Sequence, residues 1–155
     1  MSTQKPFPQA GFLAALQRAD TSPSRRLEVP LSGTLGSLLL AADGGGELTE
    51  IAPALLALLK AREAAHSAVR QAALVADELR RYQKFAKPGQ PSPQIVQIRQ
   101  QQAAARQAGN KARQDLNVAA KTFVQQAGIA VPPRLTIDVF ISEWITRNVP
   151  ADSAA

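Results

Sequence analysis

The apolar positions in the middle of the chain follow a helical spacing over two long stretches. From Pro53 to Ala86 there is no glycine or further proline, and apolar side chains recur in alternating steps of three and four residues. This spacing keeps one face of a helix against a partner helix. We therefore predict a helix over residues 52–86, beginning after Thr49 as a potential N-cap. Its seam positions are Leu58, Ala61, Ala65, Ala68, Ala72, Val75, Leu79 and Tyr82.

A second stretch with the same spacing extends from Gln94 to Ala127. Residues 87–93, between the two stretches, contain three prolines and a glycine, which no helix passes through. A short connection between two long helices favours antiparallel neighbours. We predict a hairpin with a second helix over residues 94–127, ended by Gly128, and an Ala-rich seam that brings the axes closer than the usual separation of about 8–10 Å. The second set of seam positions is Ile98, Gln102, Ala105, Gly109, Ala112, Leu116, Ala119 and Phe123, with Gln102 as its one polar member.

Three shorter apolar patterns flank the hairpin. Residues 11–20 and 32–42 predict two short helices before it, and residues 136–147 predict one after it. Their apolar faces need a covering surface, which the open end of the hairpin supplies. The predicted fold is all-α, with a long, coiled-coil-like antiparallel hairpin and short N- and C-terminal helices packed at its open end. We expect one helical domain over residues 11–149, after a loose arm over residues 1–10 and before a frayed tail over residues 150–155.

Composition narrows the class of protein further. Hydrophobic residues make up 45% of the 155 residues but aromatic residues only 5%, so the core is expected to contain mainly small side chains. The absence of cysteine excludes disulfides, thiolate catalysis and sulfur-based zinc sites. The apolar run over residues 51–59 is far shorter than the roughly 20 residues of a spanning helix, and the N-terminus lacks a signal-peptide pattern. We expect a cytoplasmic protein.

The side chains that carry chemistry are few and scattered. His66 is the only histidine, and no second imidazole stands near it in the sequence. Glu63 and Asp77 are two heptads apart, so they do not form a general acid and base pair. Asp77 is better placed to form a helical ion pair with Arg80 or Arg81, three and four residues later. The glycines at 44–46 lack the spacing of a phosphate-binding loop. We therefore expect no enzyme and no catalytic, metal or cofactor site.

Basic residues are concentrated in the hairpin. The chain has a formal charge of +6, yet residues 52–127 contain twelve basic and four acidic residues. Three arginines on the second helix are spaced by seven residues, and a lysine extends the series. At about 100° per residue, the four lie within roughly an 80° arc that is displaced by about 110° from the seam. This set, which we name the basic ridge, is Arg99, Arg106, Arg113 and Lys121.

Two interpretations of the basic ridge compete. In the first interpretation, the ridge binds phosphates or an acidic protein surface. In the second, its members only solubilise an Ala-rich helix and reach across the hairpin to acids such as Glu78. The second interpretation is slightly favoured. We therefore expect a non-enzymatic interaction protein that acts as an assembly, adaptor or structural component through its hairpin, with a protein partner or by self-association.

Nucleic acid and an anionic membrane are the two alternatives to a protein partner. The main alternative is a nucleic-acid-binding protein of weak sequence specificity that uses the basic ridge. Binding to an anionic membrane surface is disfavoured because an alanine seam has few bulky side chains to insert. No small-molecule substrate is evident from the sequence.

Overall fold

Five α-helices make up the described part of the chain. The computed structural model describes residues 7–27, 31, 33–40, 47–85, 89 and 92–151. Over these ranges the backbone contains no strand, and two isolated antiparallel bridges join residues 26 to 47 and 40 to 48. The predicted all-α class is confirmed. The helices are α1 (Ala10–Thr21), α2 (Gly33–Leu39), α3 (Ile51–Phe85), α4 (Pro93–Ala127) and α5 (Ile137–Asn148).

The two long helices dominate the fold. Each contains 35 residues, which corresponds to a length of about 52 Å. They make the most extensive helix contact in the described chain, and the start of α3 shares one core with the end of α4. This arrangement is antiparallel, so the predicted helical hairpin is confirmed. The observed ends of α3 and α4 differ by at most one residue from those predicted from the sequence.

Local hydrogen bonds explain where the long helices begin and end. The Ser92 hydroxyl accepts a hydrogen bond from the backbone N–H of Ile95 at 3.2 Å, which satisfies one free donor at the start of α4. Gly128 has a left-handed φ of 69° and ends α4, as predicted. The Thr49 hydroxyl donates to the Leu38 carbonyl at 2.6 Å. That bond joins the end of α2 to the residues that lead into α3.

The main core lies at the open end of the hairpin. Helices α1 and α2 pack on α3, and α5 packs on α4, which confirms the predicted position of the short helices. The Phe123 and Trp144 rings meet edge to face with centroids 5.0 Å apart. This geometry is a favourable one for aromatic pairs. The largest fully buried side chains are Leu16, Leu35, Leu39, Leu55, Leu58, Leu59, Phe123, Ile141 and Ile145.

Two predictions near the ends of elements need correction, and a third lies mostly outside the described residues. Residues 1–6 of the predicted loose arm lie outside the described residues, but Phe7 and Gln9 are only 5% and 6% exposed. The chain is therefore packed from Phe7 onward. Burial of the Phe7 ring stabilises the fold relative to an arm in which the ring is exposed to water. Helix α2 ends at Leu39, earlier than the predicted residue 42, and residues 41–46 lie outside the description. The predicted tail is described only as far as residue 151.

Away from its open end, the buried side chains of the described hairpin lie outside the main core. The main core takes residues 51–65 from α3 and residues 116–127 from α4. We name residues 71–85 and 93–107 the arm, which is about 22 Å long. Its described buried side chains are Val75, Ile95 and Ile98. None of the described residues of the arm belongs to the main core, which contains residues of α1, α2 and α5.

Glycine plays different parts at the seam and at the end of α4. Gly109 is a half-buried seam residue, and a Cβ added there would meet no heavy atom within 4 Å. The seam therefore does not require glycine at this position. Gly128 also has open space around it, but its left-handed backbone disfavours any side chain.

The two glycines give a matched pair of stability predictions. We expect Gly109→Ala to raise the free energy of unfolding by about 1 kcal/mol, because alanine is the better helix former and has room. Gly128→Ala should lower it by about 1–2 kcal/mol, because a Cβ is strained at this φ. Urea denaturation followed by circular dichroism measures both. Changes of the same sign in the two variants would contradict this description of the seam and the helix end.

Candidate interaction surface

The basic ridge is fully on the surface of α4. All four of its members are exposed, and successive arginines are separated by about 10.5 Å along the helix axis. Among the described residues, none of the four has an acidic oxygen within 4.0 Å of its charged group. The ion pair with Glu78, which would have explained the ridge as a solubilising feature, is not formed. The ridge keeps its positive charge accessible over about 33 Å.

Ion pairs on the hairpin involve basic residues outside the ridge. Asp77 contacts Arg80 with an O–N distance of 3.3 Å, which confirms the pair predicted from their spacing. Asp115 contacts Lys111 at 3.4 Å. Exposed pairs of this kind contribute at most about 1 kcal/mol each. They nevertheless leave few acids on the described hairpin to neutralise the ridge.

One acid of α5 lies close enough to affect the ridge electrostatically. The pKa of Asp138 is lowered, first by a hydrogen bond from the Thr136 side chain and then by backbone N–H groups. The positive charge of Arg113 lowers this pKa further as a smaller contribution. The start of α5 therefore lies beside the middle of the ridge.

The Asp138 pKa gives a test of this placement. We expect Thr136→Val to raise this pKa most, and Arg113→Gln to raise it less. Because the folded pKa lies below the unfolded value of about 3.9, ionised Asp138 stabilises the fold above that pH. The contribution is lost as the pH falls through the lower folded pKa. Carboxyl-detected NMR titration measures the shift, and no change in Arg113→Gln would separate α5 from the ridge.

All but one of the predicted seam positions are buried or half-buried. The exception is Tyr82, which is 43% exposed. It lies three residues before the end of α3. The buried seam residues are Leu58, Val75, Ile98, Ala112, Leu116 and Phe123. The half-buried ones are Ala61, Ala65, Ala68, Ala72, Leu79, Gln102, Ala105, Gly109 and Ala119.

Exposed apolar side chains mark the arm. Among the apolar residues of α3 outside the seam positions, Leu55 and Leu59 are fully buried in the main core. Val69 is 69% exposed. The arm adds three large exposed side chains that periodicity did not single out, because they lie off the seam. They are Leu74 at 53%, Phe85 at 80% and Val96 at 46% exposure.

The described residues contain neither a metal-binding cluster nor a membrane-spanning helix. No group of three or more potential metal ligands is found among them. None of their helices combines the length and apolarity needed to cross a bilayer. His66 is half-buried, and its ring contacts Phe7 with a centroid distance of 6.0 Å. The glycines at 44–46 lie outside the described part of the chain.

Comparisons with known proteins add no functional assignment. The chain gave no significant match to a family model, a curated protein or a solved structure.

Proposed function

We propose that the chain is a non-enzymatic helical interaction protein that serves as an assembly or adaptor component through its arm. The observation that supports this proposal is the separation of the arm from the main core. The arm is paired through its own seam, and the short helices cover the opposite end of the hairpin. Its outer surfaces are accordingly open to a partner.

The apolar side chains of the arm supply contact area for such a partner. Leu74, Phe85 and Val96 are each at least 46% exposed on helices whose backbone is already ordered by pairing. Apolar and aromatic side chains are enriched at the centres of protein interfaces, and a preformed element loses little entropy on binding. The arm can therefore dock without first folding.

The low charge of the α4 part of the arm favours a protein partner. Residues 93–107 contain only two charged side chains, Arg99 and Arg106. The other positions are proline, glutamine, isoleucine, valine or alanine. Away from the ridge, this helix presents alanine and glutamine. Such a surface suits packing against another helix, either from a different protein or from a second copy of this chain.

A comparison of two surface variants tests the proposal. The arm variant combines Leu74→Gln, Phe85→Gln and Val96→Gln, and the matched control combines Val118→Gln and Val139→Gln, two exposed apolar residues outside the arm. We expect the wild type and the control to form a defined oligomer, or to retain one stoichiometric partner from the native host. The arm variant should lose this association with little change in melting temperature, because its replaced side chains are already exposed.

Light scattering over a range of concentrations and a quantitative pull-down provide the measurements. A wild-type chain that stays monomeric and retains no stoichiometric partner would contradict the proposal. Equal association of the arm variant and the wild type would exclude the arm as the interface.

The basic ridge favours a second candidate function, weakly sequence-specific nucleic-acid binding. Its four exposed cations have no ion-pair partner within 4.0 Å among the described residues. Cations placed along a rigid rod bind phosphates by releasing counterions, without reading bases. A face of this kind could follow the backbone of a duplex over about one helical turn.

Salt dependence tests this second candidate. If all four ridge residues contact phosphates, the logarithm of the duplex affinity should fall with the logarithm of salt concentration with a slope of about −3.6. Replacing all four by glutamine should abolish most of that slope. The matched control replaces Lys60, Arg70, Arg81 and Lys84, which removes the same charge elsewhere. Fluorescence anisotropy measures binding to duplex DNA, single-stranded DNA and RNA. The candidate function is contradicted if the wild type binds none of them at low salt, or if the ridge variant and the control variant weaken binding equally.

A further inference from the structure

A cleft beside the main core brings together three segments that are distant in sequence. Residues 7–9 before α1, one face of α3 and Thr146 of α5 line an open cleft with a volume of about 350 Å³. This volume falls in the range of small-molecule sites, roughly 300–1,000 Å³. Its polar side chains come from Gln9, Arg62, His66 and Thr146.

Arg62 places a partly buried cation on the wall of the cleft. Its Nη1 donates to the Ser142 Oγ at 2.8 Å, and no acid among the described residues lies within 4.0 Å of its guanidinium. Burial lowers the pKa of Arg62 from its ordinary value. A guanidinium has five N–H donors, and a cation removed from water normally has an anionic partner. Most of its donor capacity is therefore available for a ligand.

Gln9 adds a second polar group to the same cleft. The residue is only 6% exposed and lines the cleft together with Arg62. Its side-chain amide carries two N–H donors and a carbonyl acceptor.

The remaining surface of the cleft is largely apolar. Phe7, which is 5% exposed, contacts the His66 ring at 6.0 Å with an angle of 52° between the planes. Ala65 and Val69 extend this wall along α3. The cleft thus combines an apolar wall with the polar side chains of Arg62 and Gln9.

We propose that this cleft binds the carboxylate of a small organic acid with an apolar body. Arg62 donates to the carboxylate oxygens, the Gln9 amide adds a donor, and the apolar body lies against Phe7 and Val69. A carboxylate is favoured over a phosphate monoester because the single guanidinium balances one negative charge, whereas a phosphate monoester carries about two near neutral pH. This inference goes beyond the proposed interaction function and does not depend on the arm.

Benzoate is a suitable probe because it joins one carboxylate to a flat apolar ring. In ¹H–¹⁵N NMR titrations of the full chain, we expect saturable shifts at cleft residues with benzoate and weaker or no binding of inorganic phosphate and benzyl alcohol. Arg62→Gln should weaken benzoate binding by about tenfold or more. Ser142→Ala should retain binding, because it keeps the guanidinium and removes only its intramolecular acceptor.

Two further variants keep the test decisive. Arg81→Gln removes the same charge from an exposed part of α3 away from the cleft, and it should bind benzoate like the wild type. If Arg62→Gln does not fold, Gln9→Met replaces it, and we expect a loss of several-fold in benzoate affinity. The proposal is overturned if benzoate binding does not saturate in the millimolar range, or if phosphate or benzyl alcohol binds equally well. It is also overturned if Arg62→Gln, or Gln9→Met in its place, binds benzoate as well as Arg81→Gln does.

Discussion

The burial of Phe123 among the helices at the open end of the hairpin is the contact on which the rest of the fold depends. Its side chain is fully buried, contacts Trp144 of α5 edge to face at 5.0 Å, and belongs to the same core as Leu55 of α3. Burying a phenylalanine in this way stabilises the fold by roughly 1.5–3 kcal/mol. The same cluster receives α1 and α2 from the other side, so five helices are joined at one place.

The distribution of side-chain size along the hairpin has a structural consequence. Large side chains fill the open end, whereas alanine and Gly109 occupy much of the seam farther along. Small side chains remove less apolar area from water, so each turn of the arm contributes less stability than a turn in the main core. The arm therefore depends on the main core for its alignment and is a separate, less strongly held region of the same two helices.

Features that depend on local sequence were predictable, and those that depend on distant contacts were not. The helical spacing, the proline-rich turn and Gly128 lie within a few residues of the structure they determine. The bond between Arg62 and Ser142 joins positions 80 apart, and no spacing rule indicates it. The packing of Phe7 was missed for the same reason, because its ring contacts His66, which is 59 positions away in the sequence. The exposure of the basic ridge was predictable from helix geometry, but its proximity to Asp138 required the position of α5.

Native-state hydrogen exchange most directly tests whether one end of the hairpin holds the whole fold together. The account predicts that amides over residues 52–59 and 116–124 exchange only through global unfolding, because they surround the Phe123 core. Amides of the arm, over residues 71–85 and 93–107, should exchange through a smaller opening of lower free energy. Equal protection along the full length of α3 and α4 would contradict the account, because it would mean that the alanine seam holds the helices as strongly as the main core does.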